Sequence, residues 1–121
     1  MAIALQLEPK LLSRLSTQTA TERSSLEAAL VNFCQRWQIE EFYLFGSVLR
    51  DDFRSDSDID VMVKFLPHAR WGFEIVDIQE ELEQLFGRKV DLLTKASIEG
   101  SHNWIRRKEI LGTARLLYVS G

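Results

Sequence analysis

Residues 45–63, FGSVLRDDFRSDSDIDVMV, decide the reading of this chain. Gly46-Ser47 follows the short apolar run Tyr43-Leu44-Phe45, and ten residues separate Ser47 from Asp58-Ile59-Asp60, which opens a second apolar run. Successive side chains of a strand point to opposite faces. A strand from Asp58 to Phe65 therefore sets Asp58 and Asp60 on one face and Ile59, Val61 and Val63 on the other. Two carboxylates held side by side repel unless a cation sits between them. Magnesium is the usual cation for such hard oxygen ligands, and it commonly arrives with a nucleoside triphosphate. Gly-Ser at a strand-to-helix turn offers backbone N–H groups and a hydroxyl to phosphate oxygens. A cation site beside a phosphate cradle implies phosphoryl or nucleotidyl transfer.

Most Asp-rich segments are solvated acidic loops, and Asp51, Asp52 and Asp56 fit that description. Asp58 and Asp60 do not, because they alternate with residues that belong in a sheet. A calcium-binding EF-hand loop starting at Asp56 also fails: Val61 stands where that loop needs glycine, and Pro67 where it needs glutamate. Asp91, in Val90-Asp91-Leu92-Leu93, is ambiguous alone, since one acid in a short apolar run can simply face solvent. Beside the first motif it becomes a candidate third carboxylate, completing the cation site or taking a proton from an attacking hydroxyl.

The rest of the chain supplies a scaffold. Its 121 residues suit one domain, 1–121, and 45% hydrophobic with 27% charged residues is an ordinary water-soluble composition. A formal charge of -3 argues against direct nucleic-acid binding, which usually needs a strongly basic face. The single cysteine, Cys34, excludes an intrachain disulfide and suits a reducing cytoplasm. The sequence has no apolar stretch of membrane-spanning length and no signal peptide, so a cytoplasmic location is expected.

Pattern and punctuation predict a short helix from Pro9 to about Leu15, then a helix over roughly 22–37 carrying Leu26, Leu30, Phe33 and Trp37 on one stripe. Strands follow at 41–45 and 58–65, with one helical turn at 47–50 between them. A second amphipathic helix carries Ile75, Ile78, Leu82, Leu85 and Phe86 and stops at Gly87. A strand at 90–93, a helix over 104–111 stopped by Gly112, and a last edge strand at 114–119 complete the order. Arg106, Arg107 and Lys108 are placed near the end of that last helix, where the dipole favours cations; contact with a partner or with nucleotide phosphates is the lesser alternative. His68 and His102 read as surface residues, and Trp37, Trp71 and Trp104 as core or interface anchors. The expected architecture is α+β: a small mixed sheet flanked by helices, with a helical N-terminal extension over about 1–38 and a core over about 40–118.

Gly46-Ser47, the ten-residue gap, Asp58-Ile59-Asp60, and Asp91 about thirty residues on together resemble the nucleotidyltransferase superfamily, which includes the DNA polymerase β palm. The segment SVLRDDFRSDSDIDVMVKF is similar to its minimal branch, the MNT-domain proteins, many of which are antitoxins of HEPN/MNT toxin–antitoxin pairs. The resemblance covers roughly residues 40–118. It implies a polymerase-β-palm fold, with Asp58, Asp60 and Asp91 as magnesium ligands and catalytic acids, and Gly46 and Ser47 as the phosphate cradle. Arg50 occupies the basic position of the motif and reaches a phosphate or pairs with Asp52 or Asp56. Ser55 stands where the family often has proline. The implied reaction is transfer of AMP from ATP to a tyrosine of a HEPN-family RNase toxin, in a hetero-oligomer with that partner. Small-molecule members add an acceptor-holding domain for which 121 residues leave little room, so a protein acceptor is expected. Two rivals stay open: an antitoxin that acts by binding alone, and a small-molecule nucleotidyltransferase whose acceptor lies between subunits.

Overall fold

The apolar runs on either side of Gly46-Ser47 fold as the hairpin at the centre of the sheet. The computed structural model describes residues 3–5, 20–50, 57–69 and 74–120. In chain order the elements are β1 (Ile3–Leu5), α1 (Ala20–Arg36), β2 (Ile39–Phe45), a 3₁₀ turn (Gly46–Leu49), β3 (Ile59–Phe65), α2 (Glu74–Phe86), β4 (Val90–Thr94), α3 (Lys95–Glu99), α4 (Trp104–Thr113) and β5 (Arg115–Ser120). The strands form one sheet in the order β1-β5-β2-β3-β4. Only the β3–β4 pair is parallel, so the sheet is mixed and the fold is α+β, as the pattern predicts.

The sheet's two faces are covered unequally. On one face Phe42, Leu44, Ile59, Val61 and Val63 pack against Leu26, Leu30 and Phe33 of α1 and Ile78, Leu82 and Phe86 of α2. Each of these large side chains contributes about 1.5–3 kcal/mol on burial, so this face is the main core. A hydrogen-bonded link adds to it: Arg36 and the Trp37 indole N–H both donate to Glu81, joining the end of α1 to α2. On the other face a smaller cluster of Phe45, Met62, Ile98 and Ile110 seats α3 and α4. The alternation of β3 and β4 sends Asp60 and Asp91 to this thinner side. No described helix is long and apolar enough to cross a membrane.

Several boundaries differ from the sequence reading, each for a physical reason. The strand carrying the acids begins at Ile59, so Asp58 precedes it instead of lying within it. Gly112 does not stop α4, which runs through it to Thr113; Gly87 does stop α2, at φ +70° with its N–H donating to the Glu83 carbonyl at 2.8 Å. Arg106, Arg107 and Lys108 are not at the end of α4, whose last turn holds no basic residue. The Asn103 side chain accepts from the Arg106 N–H at 3.1 Å and starts the helix immediately before Trp104, which puts these cations in its first half. β5 is not an edge strand, because β1 pairs along its outer side, with Ala4 opposite Val119. The helical N-terminal extension therefore contains a strand of the sheet. α3 goes unannounced by any long periodicity, yet Thr94 caps it by accepting from the Ser97 N–H at 3.2 Å. The short helix at 9–15, the acidic segment 51–56 and Trp71 lie outside the described residues. His68 and His102 are exposed, as expected.

Candidate active site

Asp60 is the centre of the site, and register brings its neighbours to it. In the antiparallel ladder Asp60 stands opposite Phe45, the residue before Gly46-Ser47; in the parallel ladder it stands opposite Asp91. The glycine–serine turn and a second carboxylate thus flank it from the two adjacent strands. Asp58 approaches from the loop end, where Arg88 donates to the Ser57 carbonyl at 3.3 Å and steadies the entering chain. Asp58 and Asp91 are exposed and Asp60 is half-buried.

Asp60 stands in the field of the other two acids. Burial, then the charges of Asp91 and Asp58, push the Asp60 carboxyl above the ordinary aspartate range. The Ser47 backbone N–H, which donates to it, and the positive charge of Arg106 pull partly the other way. One amide of the expected phosphate cradle is therefore already engaged by Asp60, and the Ser47 hydroxyl is a further group the turn can offer a phosphate. Gly46 is dictated by the same closeness. It has φ +75°, and a Cβ there would lie 2.2 Å from Asp60 Oδ2. No larger residue permits the turn and the carboxylate to share this space.

Oxygen-only donors with mutual repulsion suit a hard cation. Among the described residues no group of three His, Cys, Asp or Glu side chains is gathered into a ready metal cage. Magnesium is compatible with that, since it commonly takes one or two carboxylates and completes its shell with water and substrate phosphates. The donors of Asp60 and its register partner Asp91, with Asp58 beside them, fit that mode.

Next to the acids opens a cleft of about 310 Å³, lined by Phe45, Gly46, Leu49 and Arg50 on one wall and Arg106, Glu109, Ile110 and Thr113 of α4 on the other. Arg50 lines this cleft beside the glycine–serine turn. Arg106 lies on the α4 wall, although its run reads first as a solvated helix end and only second as a phosphate contact. Further along the same face, Tyr43 donates to Glu41 at 2.5 Å, and Lys95 donates to Glu41 and to the Tyr43 hydroxyl, each at 3.2 Å. Burial alone would raise Glu41, but these bonds outweigh it and hold the carboxyl low, while burial and Glu41 push Tyr43 up. This network ties α3 to β2.

Ser47→Ala should weaken ATP use far more than folding. A lost hydrogen bond to a charged phosphate is worth roughly 1.5–3 kcal/mol, about tenfold to a hundredfold. Unchanged steady-state kinetics in the variant would reduce Ser47 to a structural turn residue.

A family model described as nucleotidyltransferase domain matches residues 26–116. A Methanocaldococcus jannaschii protein provisionally named protein adenylyltransferase is 40% identical over 85 residues, covering 69% of this chain and 80% of its own length. A solved structure described provisionally as a minimal nucleotidyltransferase is 32% identical with TM-score 0.59, covering 78% of this chain and 91% of that one. In a solved complex of tri-AMPylated Shewanella oneidensis HEPN toxin with MNT antitoxin, a chain 16% identical aligns with TM-score 0.53 over 80% of this chain and 72% of that one, a likeness of fold.

Proposed function

The chain belongs to the nucleotidyltransferase domain family and is a nucleotidyltransferase, and from that premise we propose that it is an antitoxin that transfers AMP from ATP to a tyrosine of a HEPN-type RNase toxin. The observation that carries the reaction is the register pair Asp60–Asp91 beside Gly46-Ser47. The choice of a protein acceptor is supported by the relative named protein adenylyltransferase and by the AMPylated toxin found with a similarly folded chain.

In this reading Asp58 and Asp60, with Asp91, hold magnesium, which when bound neutralises phosphate charge and draws electrons from the α-phosphorus. Gly46 permits the close approach of the turn, and the Ser47 hydroxyl and Arg50 hold the outer phosphates. The acceptor phenol, with pKa about 10, needs help to lose its proton at neutral pH. Asp91, exposed at the rim, takes that proton as the phenolic oxygen bonds to the α-phosphorus. The bond from that phosphorus to the bridging oxygen breaks, and pyrophosphate leaves with the electron pair. The whole of 1–121 acts as one unit, in the cytoplasm, bound to its toxin without direct contact to nucleic acid.

ATP labelled at the α-phosphate tests this with and without the protein encoded by the neighbouring gene. Label should pass to that protein only when both chains and magnesium are present. Asp91→Asn should slow transfer by about a hundredfold, in the range for general-base loss, while the two chains still co-purify. Label transferred to a small molecule, with none on the partner, would replace the protein acceptor.

A further inference from the structure

Three consecutive cations on α4 have three different fates, because successive residues of a helix turn through about 100°. Arg107 reaches back to donate to the Ser101 carbonyl at 3.1 Å, bracing the link between α3 and α4. Lys108 is exposed and does not line the cleft. Arg106 lines the cleft opposite Gly46, Leu49 and Arg50, and its charge is felt by Asp60. The Asn103 side chain accepts from the Arg106 N–H at 3.1 Å, which holds the Arg106 backbone in the first turn of α4.

We propose that Arg106 is a binding residue for the outer phosphates of the nucleotide, gripping them from the α4 wall while Ser47 and Arg50 hold them from the turn. This rests on the nucleotidyl-transfer reading and adds to it a group outside the glycine–serine and aspartate motifs. Three carboxylates repel a polyphosphate, so a site built on Asp58, Asp60 and Asp91 needs fixed positive charge on the side from which the phosphates approach. A guanidinium supplies it in planar, bidentate form. Before nucleotide arrives, Arg106 offsets part of the charge around Asp60. Glu109, one turn further along α4 and also lining the cleft, repels phosphate, so the phosphates sit toward Gly46.

Calorimetric titration of the full chain with magnesium-ATP, inorganic tripolyphosphate and AMP tests this, comparing the parent with Arg106→Ala, Arg106→Gln, Arg106→Lys and Lys108→Ala. Removing the guanidinium should weaken ATP and tripolyphosphate by about tenfold to a hundredfold. AMP, which lacks the outer phosphates, should bind as before. Lysine should recover part of the loss, and Lys108→Ala should change nothing. Equal affinity of the parent and both neutral variants for ATP overturns the proposal. So does a loss for AMP as large as that for ATP, which would mark a fold defect or a contact to the nucleoside. A parent chain that binds no ATP overturns the nucleotidyl-transfer reading as well, which separates the two failures. Arg106→Gln keeps the experiment decisive if the alanine variant does not fold.

Discussion

Asp60→Asn should abolish transfer and leave a folded chain that, at neutral pH, is at least as heat-stable as the parent. Asparagine has the size of aspartate and still offers an oxygen to the Ser47 N–H, so the turn survives. It lacks the charge that the proposed magnesium site would need. Electrostatic stabilisation by such a cation is worth several kcal/mol in the transition state, so transfer falls by roughly a thousandfold or more. The gain in stability follows from linkage. Burial and the charges of Asp91 and Asp58 raise the folded carboxyl above its unfolded value, so the folded chain holds this proton more tightly. The contribution is fully present below the unfolded pKa and is lost as pH rises through the folded one. Asparagine does not suffer that loss. Melting curves at several values from about pH 4 to pH 8, around and above the ordinary carboxylate range, should show the variant gaining on the parent as pH rises. A folded Asp60→Asn variant with full transfer would remove Asp60 from the chemistry.

Gly46→Ala should cost activity out of proportion to stability. The left-handed backbone at φ +75° costs a non-glycine residue about 1–2 kcal/mol. The more serious problem is steric. A methyl group 2.2 Å from Asp60 Oδ2 forces that carboxylate to move, and a displacement of about 1 Å at a reacting centre can cost a hundredfold. Gly87→Ala supplies the control, because Gly87 has a similar φ of +70° but nothing within 4 Å of the added carbon. Urea unfolding should show comparable destabilisation of the two variants, while only Gly46→Ala loses about a hundredfold or more in transfer. Equal activity in both would mean that the tight packing of Gly46 on Asp60 does not serve the reaction.

What local sequence can specify was legible. The period-two run Ile59-Val61-Val63 set the inner face of β3 and so the outward face of Asp60. The 3.6-residue stripe of Ile78, Leu82 and Phe86 set α2, and Gly87 its end. Asp91 was legible only as a candidate; its standing as register neighbour of Asp60 depends on a parallel pairing across about thirty residues that no local pattern encodes. The same limit hid β1. Three residues carry no periodicity of their own, and only the ladder to β5 makes Ile3–Leu5 a strand. Arg106 was legible only as a lesser alternative: a basic run reads first as a solvated helix end, and that its side chain meets the cleft depends on how α4 packs on the sheet through Ile110, which the run itself does not encode. A glycine can also sit inside a helix, as Gly112 does, when no left-handed turn follows it.

The central claim is that these acids modify a partner protein, and intact-mass spectrometry of the toxin tests it most directly. The toxin is incubated with ATP and magnesium together with either the parent chain or the Asp58→Asn, Asp60→Asn, Asp91→Asn triple variant. The parent should add mass to the toxin in whole AMP units and the variant none, with RNase activity restored to the same degree that modification is lost. Neutralisation of the toxin without added mass, equally complete with the triple variant, would contradict it and leave an antitoxin that acts by occlusion.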